Sequence, residues 1–571
     1  MGYALFFLPK VNKEYIKNDV SKQKQHLLIR KKQPMRYIQA LLCVLVIPLW
    51  SFFLSLNCDA GTTVYRNGGG IYRAPLLNNP STLDPPYVQD IYGVAVVHQL
   101  FDGLVQFDSA LFVVPALAEN WQVTEGGKTY RFSLRSNAKF HNGRPVTSRD
   151  VVFSLERVLR IKPPPSIQPH LLKIMGAEEY QEGDADDVSG LTIVDDKTLL
   201  IHLSEPYAPF LIALGMYQGS IVPKDEVIKD GEDFGRSPIG SGAFKFESWQ
   251  ESKKISLARF PEYYGGPALL DSIEYLIYPG VGIEEVLEDF RSGKLEQMPI
   301  FGNVGQILKE RKDLQWLHRP SLSIQFYGIN CQHPKLKDPN LRSALSMAIN
   351  RKELIASVYG GRFEPARTIL PPGLPGYDPS GQRISEDKDR ALHFVESIKK
   401  EKPDTIGPIE IVSNSESTLA KAELDFIAKS WGEIGVSMKP RFIPDWPEFE
   451  AYLKSDALQI YRYAWFADIP DPDDFLRTLF SSNSPANFMR YSNPEVDKML
   501  QEALGMVEPL QRAQTYQDVE GIILQSSPII PILYMSNDFV FQPYVDGIQI
   551  SPLGAQAMSF HQVSLKADSL Q

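Results

Sequence analysis

Residues 458–480 read LQIYRYAWFADIPDPDDFLRTLF. The first part, 458–466, is rich in aromatic and β-branched residues and predicts a strand. Alternation puts Leu458, Ile460, Arg462, Ala464 and Phe466 on one face, joined by Asp468 if the extension continues. Pro470 and Pro472 stop the strand. A helix is expected at once: Asp471 suits the N-cap, Pro472 the first position, and Asp473 and Asp474 the first turn. Phe475, Leu476, Leu479 and Phe480 give it an apolar stripe. Three of the four carboxylates therefore serve a helix start. Asp468 does not, and a carboxylate ending an aromatic strand is costly without a partner. Two partners compete: an arginine of the same chain, or a ligand cation such as a peptide's α-ammonium. A calcium loop on Asp468, Asp471 and Asp473 is weaker, because two prolines interrupt it and its glycine is missing.

Working outward, 571 residues exceed one hydrophobic core and predict two or three domains. The net charge of −10 is uneven. Residues 1–60 hold nine Lys and Arg against three Asp and Glu, which leaves the remainder at −16. So acidic a body argues against nucleic acid as a partner. Residues 37–56, YIQALLCVLVIPLWSFFLSL, carry no charge and are long enough to span a bilayer. Small residues at Cys58 and Ala60 fit signal-peptide cleavage after Ala60, and Met35-Arg36 would begin a signal of ordinary length. An uncleaved anchor and a lipid on Cys58 are the alternatives. All three place the body outside the cytoplasm. Cleavage would leave Cys331 alone, with no intrachain disulfide to make.

Further along, 129–134 alternates as a strand and Asn142-Gly143 is a hairpin signal. Thr147 is placed to cap a helix carrying Val151, Val152, Leu155 and Leu159. The glycines of SPIGSGAFKFESW, 237–249, lack the lysine and helix of a phosphate loop and read as sites of close backbone packing or of backbone approach to a ligand. Strands are expected at 191–203, 273–278, 323–330, 409–412 and 528–533, and helical spacing at 284–290, 341–359, 420–434 and 496–521. The strand–helix rhythm after residue 320 predicts an α/β domain. No Ser-His-Asp, zinc or phosphate motif stands at usable spacing, so no enzyme, metal or cofactor is expected.

The order of segments resembles the extracytoplasmic solute-binding proteins of ABC importers, the oligopeptide- and dipeptide-binding family, over residues 70–545. The resemblance rests on STLDP (81–85), FDGL (101–104), VPALAENW (114–121) and YRFSLRSNAKFHNGRPVTSRDVVFSLER (130–157). It continues with PIGSGAFKFESW, LRSALSMAINRKEL (341–354) and AWFADIPDPDDFL (464–476). It implies an α/β, two-lobed periplasmic-binding-protein fold of type II, in its large three-domain variant, with a hinge between lobes. Lobe 1 would span 61–300 with an inserted subdomain at about 112–196. Lobe 2 would span 301–538, and 539–571 would return to lobe 1. Crossovers are expected near 300–322 and 530–542.

The resemblance further implies that Asp468 binds a peptide's amino terminus and that the preceding strand lends main-chain bonds, as to an added β-strand. Ala464, Trp465 and Phe466 join Asp468 as substrate-binding candidates. The implied partners are a peptide and an inner-membrane ABC permease, with the protein itself a monomer. One departure stands out. Dipeptide-specific members carry an arginine after the strand matching 409–412, where this chain has Ser413-Asn414-Ser415-Glu416. That favours longer peptides or another cargo. A non-peptide solute (nickel chelate, sugar, haem) and a membrane-tethered peptide sensor or chaperone are the alternatives.

Overall fold

The computed structural model describes residues 69–566, apart from 281, 302–303, 379, 381–384, 402–405 and 555–556. The hydrophobic segment 37–56, the cleavage site at Ala60 and the start at Met35 lie outside the described residues. Among the described residues no helix is long and apolar enough to cross a membrane.

The fold is α/β and two-lobed, and each lobe has its own cores. In the first, the strands Ile71–Leu76, Ser272–Ile277, Lys254–Arg259 and Phe244–Gln250 form a sheet in that order. The helix Ile91–Leu100 packs Val94, Val97 and Leu100 into the same core. A second sheet orders Ala118–Thr124, Thr129–Leu134, Thr198–His202 and Leu191–Asp195. The helix Ser148–Leu159 covers it with Val151, Leu155 and Val158. Its start is the expected one, extended to a full capping box: the Asp150 carboxylate accepts the Thr147 backbone N–H at 3.0 Å.

The other lobe is built on a six-stranded sheet. Its order is Glu364–Pro365, Ile529–Tyr534, Ser323–Ile329, Ile460–Phe466, Ile409–Ser413, Met438–Phe442. All seven residues of Ser323–Ile329 are buried, as a strand covered on both faces requires. Ile324 and Phe326 pack with Phe475 and Phe480 in one core. Tyr327 and Ile329 pack with Leu345 and Trp431 in the other.

A three-stranded sheet lies between the two. Ser536–Phe541 is its middle strand, flanked by Gln297–Pro299 and Gln315–Pro320. Met535 alone separates Ser536–Phe541 from Ile529–Tyr534, and two residues separate Gln315–Pro320 from Ser323–Ile329. The chain therefore runs directly from this sheet into the six-stranded one at two places.

Segments that carry the resemblance hold this scaffold together. Asp84 of STLDP binds Arg157, 73 residues away, through both guanidinium Nη atoms, with one contact at 2.7 Å. His141 accepts the Gly240 N–H at 3.1 Å through Nδ1 and meets the Gly242 carbonyl at 3.1 Å through Nε2. Burial pushes this imidazole down to about 4, so the ring is a neutral tie between two loops. A Cβ on Gly240 would stand 1.9 Å from the Leu100 carbonyl oxygen, so glycine alone permits that approach. Arg342 and Arg351, from LRSALSMAINRKEL, spend their guanidinium groups on buried backbone carbonyls and Ser346 Oγ.

Two expected runs of helix are each split. The 341–359 run is Pro339–Met347 and Arg351–Tyr359, because Asn350 accepts the Glu353 N–H and starts a new helix. The 496–521 run is Pro494–Leu504 and Pro509–Ser526, broken between Gly505 and Pro509.

Candidate functional site

The Ile460–Phe466 strand ends two residues before Asp468, so the extension on which its place on that face depended does not occur. The turn that follows places it instead. The Asp468 N–H donates to Asp474 Oδ2 at 3.1 Å, and the Trp465 indole N–H donates to the same oxygen at 3.2 Å. Asp471 caps the Pro472–Phe480 helix as expected, accepting the Asp473 N–H at 2.9 Å. It is also fully buried against Arg512, bidentate at 2.7 and 2.8 Å. Asp473 pairs with Arg477 at 2.8 Å and accepts from Tyr516 Oη at 2.9 Å.

Asp468 differs. Among the described residues it has no ion-pair partner, and its carboxylate accepts no hydrogen bond. Arg462, the cation of its own strand, is committed to fully buried Glu423 at 3.1 Å, beside Tyr327 and Gln325. Asp468 keeps access to solvent, yet partial burial pushes its carboxyl above the usual carboxylate range. The partly buried Asp474 is pushed further, up to about 7, first by burial and then by the Asp468 charge. Sequence reasoning missed Asp474, because its spacing fits a helix first turn equally well.

The strand itself has an open edge. Ser323–Ile329 pairs along the whole of Ile460–Phe466, with Gln325 opposite Ala464 and Ser323 opposite Phe466. The Ala467 N–H donates to Leu322 and the Asn330 N–H donates to Gln459, so odd-numbered residues turn their main-chain groups to this neighbour. The even-numbered Ala464 and Phe466 turn theirs the other way. There the Ile409–Ser413 strand pairs only with Ile460 and Tyr461. The main-chain groups of Ala464 and Phe466 therefore have no strand partner on that side. Trp465 is half-buried against the lobe's core, and Phe466 is 54% exposed.

The opposite lobe comes near Asp468. Tyr217 donates to the Val88 carbonyl at 3.0 Å. Burial, Asp90 and Asp468 push its hydroxyl up to about 12, so Asp468 lies within electrostatic reach of that lobe. Tyr217 borders a cavity of about 420 Å³ lined also by Asp102, Gly103, Gln106, Tyr263 and Gln549. Asp102, from FDGL, is partly buried there, and burial pushes its carboxyl up to about 6. Among the described residues no group of three or more His, Cys, Asp or Glu is placed to hold a metal ion.

Residues 113–487 match the family described as bacterial extracellular solute-binding proteins, family 5. The chain belongs to this family. It is 28% identical over 546 residues to the dipeptide-binding protein of Escherichia coli, covering 91% of this chain and 97% of that one. It is also 28% identical over 489 residues to heme-binding protein A of Haemophilus influenzae, covering 82% and 87%. Among solved structures, the periplasmic murein tripeptide-binding protein MppA in its unliganded open form superposes with a TM-score of 0.78 at 24% identity, covering 87% of this chain and 97% of that one. The last likeness shows the fold.

Proposed function

We propose that this solute-binding protein captures peptides outside the cytoplasm and delivers them to an ABC permease, acting as a monomer. The observation that carries the reading is the unpaired Asp468 carboxylate beside the open Ala464–Phe466 edge. A peptide laid along that edge would meet the free main-chain groups of Ala464 and Phe466 as an added strand. Its α-ammonium would meet Asp468, and Trp465 would wall the first residue. Because the backbone is read rather than the side chains, sequence preference is broad. Lobe 1 at 61–300, lobe 2 at 301–538 and the return at 539–571 close about the crossovers. The paired strands Gln315–Pro320 and Ser536–Phe541 support that placement.

Longer peptides suit the site better than dipeptides. The loop after Ile409–Ser413 offers a network of hydroxyls, Ser413 Oγ to the Ser415 carbonyl at 3.1 Å and Ser415 Oγ to Ser417 Oγ at 3.1 Å, where a dipeptide carboxylate would need a cation. A relative named for heme binding stands at the same identity as one named for dipeptides, which supports a second reading as a haem receptor. One experiment separates the two. The purified protein is denatured and the released ligand identified by mass. Peptides of mixed sequence, three residues or longer, are expected; a single non-peptide species would overturn the proposal.

A further inference from the structure

One oxygen, Asp474 Oδ2, holds both residues that flank the end of the open edge. It accepts the Trp465 indole N–H and the Asp468 backbone N–H, at 3.2 and 3.1 Å. The neighbouring carboxylates each have a cation: Asp471 has Arg512 and Asp473 has Arg477. Among the described residues, Asp474 and Asp468 have none.

The surroundings offer no replacement. On the Pro472–Phe480 helix itself, Asp471 and Asp473 add negative charge, and Arg477 is turned to Asp473 and the Leu500 carbonyl. From the Pro509–Ser526 helix, Arg512 and Tyr516 are directed at Asp471 and Asp473. His170, from the other lobe, feels Asp471, and its imidazole is pushed down by burial. Tyr217, also from that lobe, is a neutral hydroxyl near Asp468. Two carboxylates joined by a hydrogen-bonded turn, one of them partly buried and neither with a cation among the described residues, cannot both ionise freely.

We propose that Asp474 is the positioning residue of the ammonium subsite: it fixes Asp468 and Trp465, holds a proton in the ligand-free protein, and releases it when a cationic amino terminus arrives. This rests on the reading of Asp468 as the ammonium contact. The balance is simple. The Asp474 carboxylic acid becomes a carboxylate, the proton passes to solvent, and the ammonium charge takes its place. Because burial and the Asp468 charge push this carboxyl up to about 7, a substantial share of the ligand-free molecules holds the proton near neutral pH. The pair thereby selects a cation over a neutral end, and couples capture to the pH outside the cell.

The test is isothermal titration calorimetry of the purified protein with tetra-alanine, in buffers of low and high ionisation enthalpy, at pH 6, 7 and 8. Asp474→Asn keeps the acceptor oxygen for Trp465 and Asp468 but cannot ionise. Taking the difference between the two proteins cancels the peptide's own amino-group titration, which lies near pH 8. Wild type is expected to release more protons than Asp474→Asn, with the excess largest at pH 6 and falling as pH rises to 8. The variant is expected to bind within about threefold of wild type at pH 6 and on the order of fivefold weaker at pH 8. Asp474→Ala, which removes the acceptor too, is expected to bind roughly tenfold weaker at pH 6 and weaker still at pH 8, where the carboxylate is missing as well. If both proteins bind tetra-alanine with equal proton counts, the inference fails and the peptide reading stands, even where affinity drops. If wild type binds no tetra-alanine, the peptide reading fails and takes the inference with it.

Discussion

Replacing Asp468 with Asn removes one negative charge and keeps the side-chain shape. Among the described residues the wild-type carboxylate has no partner, so its interaction with the ligand is undiluted by a competing arginine. A charge-assisted hydrogen bond contributes about 1.5–3 kcal/mol. At about 1.4 kcal/mol per tenfold, its loss weakens binding by about 10- to 150-fold. Two features set where in that range the loss falls. Asp468 is exposed in the ligand-free protein, but a peptide seated on the edge would cover it, so the ammonium would meet a charge that water screens less and the loss is drawn upward. Against this, Asp474 loses a repelling neighbour in the variant, ionises more easily and recovers part of the attraction. We therefore expect about 30-fold. The assay is calorimetry at pH 7 with tetra-alanine and N-acetyl-tetra-alanine. The free peptide is expected to lose that factor and the blocked peptide less than threefold. Equal losses for the two would refute the assignment of Asp468 to the amino terminus, because a general disturbance of the cleft does not distinguish a charged end from a capped one.

Three further outcomes follow from the same geometry. Arg512→Met strands Asp471 in a fully buried position with only its helix-cap bond, which should cost about 3–5 kcal/mol in denaturant unfolding; a loss under 1 kcal/mol would show that the pair is not needed. Gly240→Ala drives a Cβ to 1.9 Å from the Leu100 carbonyl and should cost about 3 kcal/mol or more, whereas Gly126→Ala, with open space at φ +65°, should cost about 1 kcal/mol; similar melting temperatures would contradict the close approach. Asp474→Asn should become progressively more stable than wild type as pH rises from 4 to 7, by roughly 2–4 kcal/mol at pH 8, because a carboxyl held at about 7 resists the ionisation that the unfolded chain completes near 4. The difference between the proteins is the quantity to measure, since the partly buried His98 and His141, both held near 4, stabilise the fold in the opposite sense as pH rises toward 6.5. A difference independent of pH would refute the raised carboxyl.

Much of this architecture was legible along the chain because it is local. The DPDD run gives the cap, the proline and the first turn of Pro472–Phe480 from spacing alone, and Thr147 with Asp150 does the same for Ser148–Leu159. What was not legible depends on distant partners. Nothing near Asp471 announces Arg512, 41 residues on, and nothing near Arg462 announces Glu423, 39 residues back. The split at Gly505 and Pro509 did leave a signal, a glycine and a proline within four residues, but apolar spacing continued across it. The open edge at Ala464 and Phe466 is a property of sheet order: it exists because Ile409–Ser413 diverges after two pairings.

Local and distant features therefore divide the work. The segments that carry the family resemblance, Asp84 with Arg157, His141 with Gly240, and Arg342 and Arg351 on their carbonyls, satisfy polar groups internally and fix the frame. The candidate site is made of what the frame leaves open: one strand edge, and two carboxylates that have no cation among the described residues. Unpaired groups of this kind cost stability in the ligand-free protein, and a ligand that pairs them recovers that cost on binding. The ligand-free fold should therefore be loosest at this edge. Hydrogen exchange at the Ala464 and Phe466 amides should be fast in the ligand-free protein and slow at least tenfold when tetra-alanine is bound, while the odd-numbered amides of Tyr463 and Trp465, already turned to Ser323–Ile329, should change little. Uniform slowing along the strand would mean that the ligand stiffens the lobe as a whole and does not add a strand to its edge.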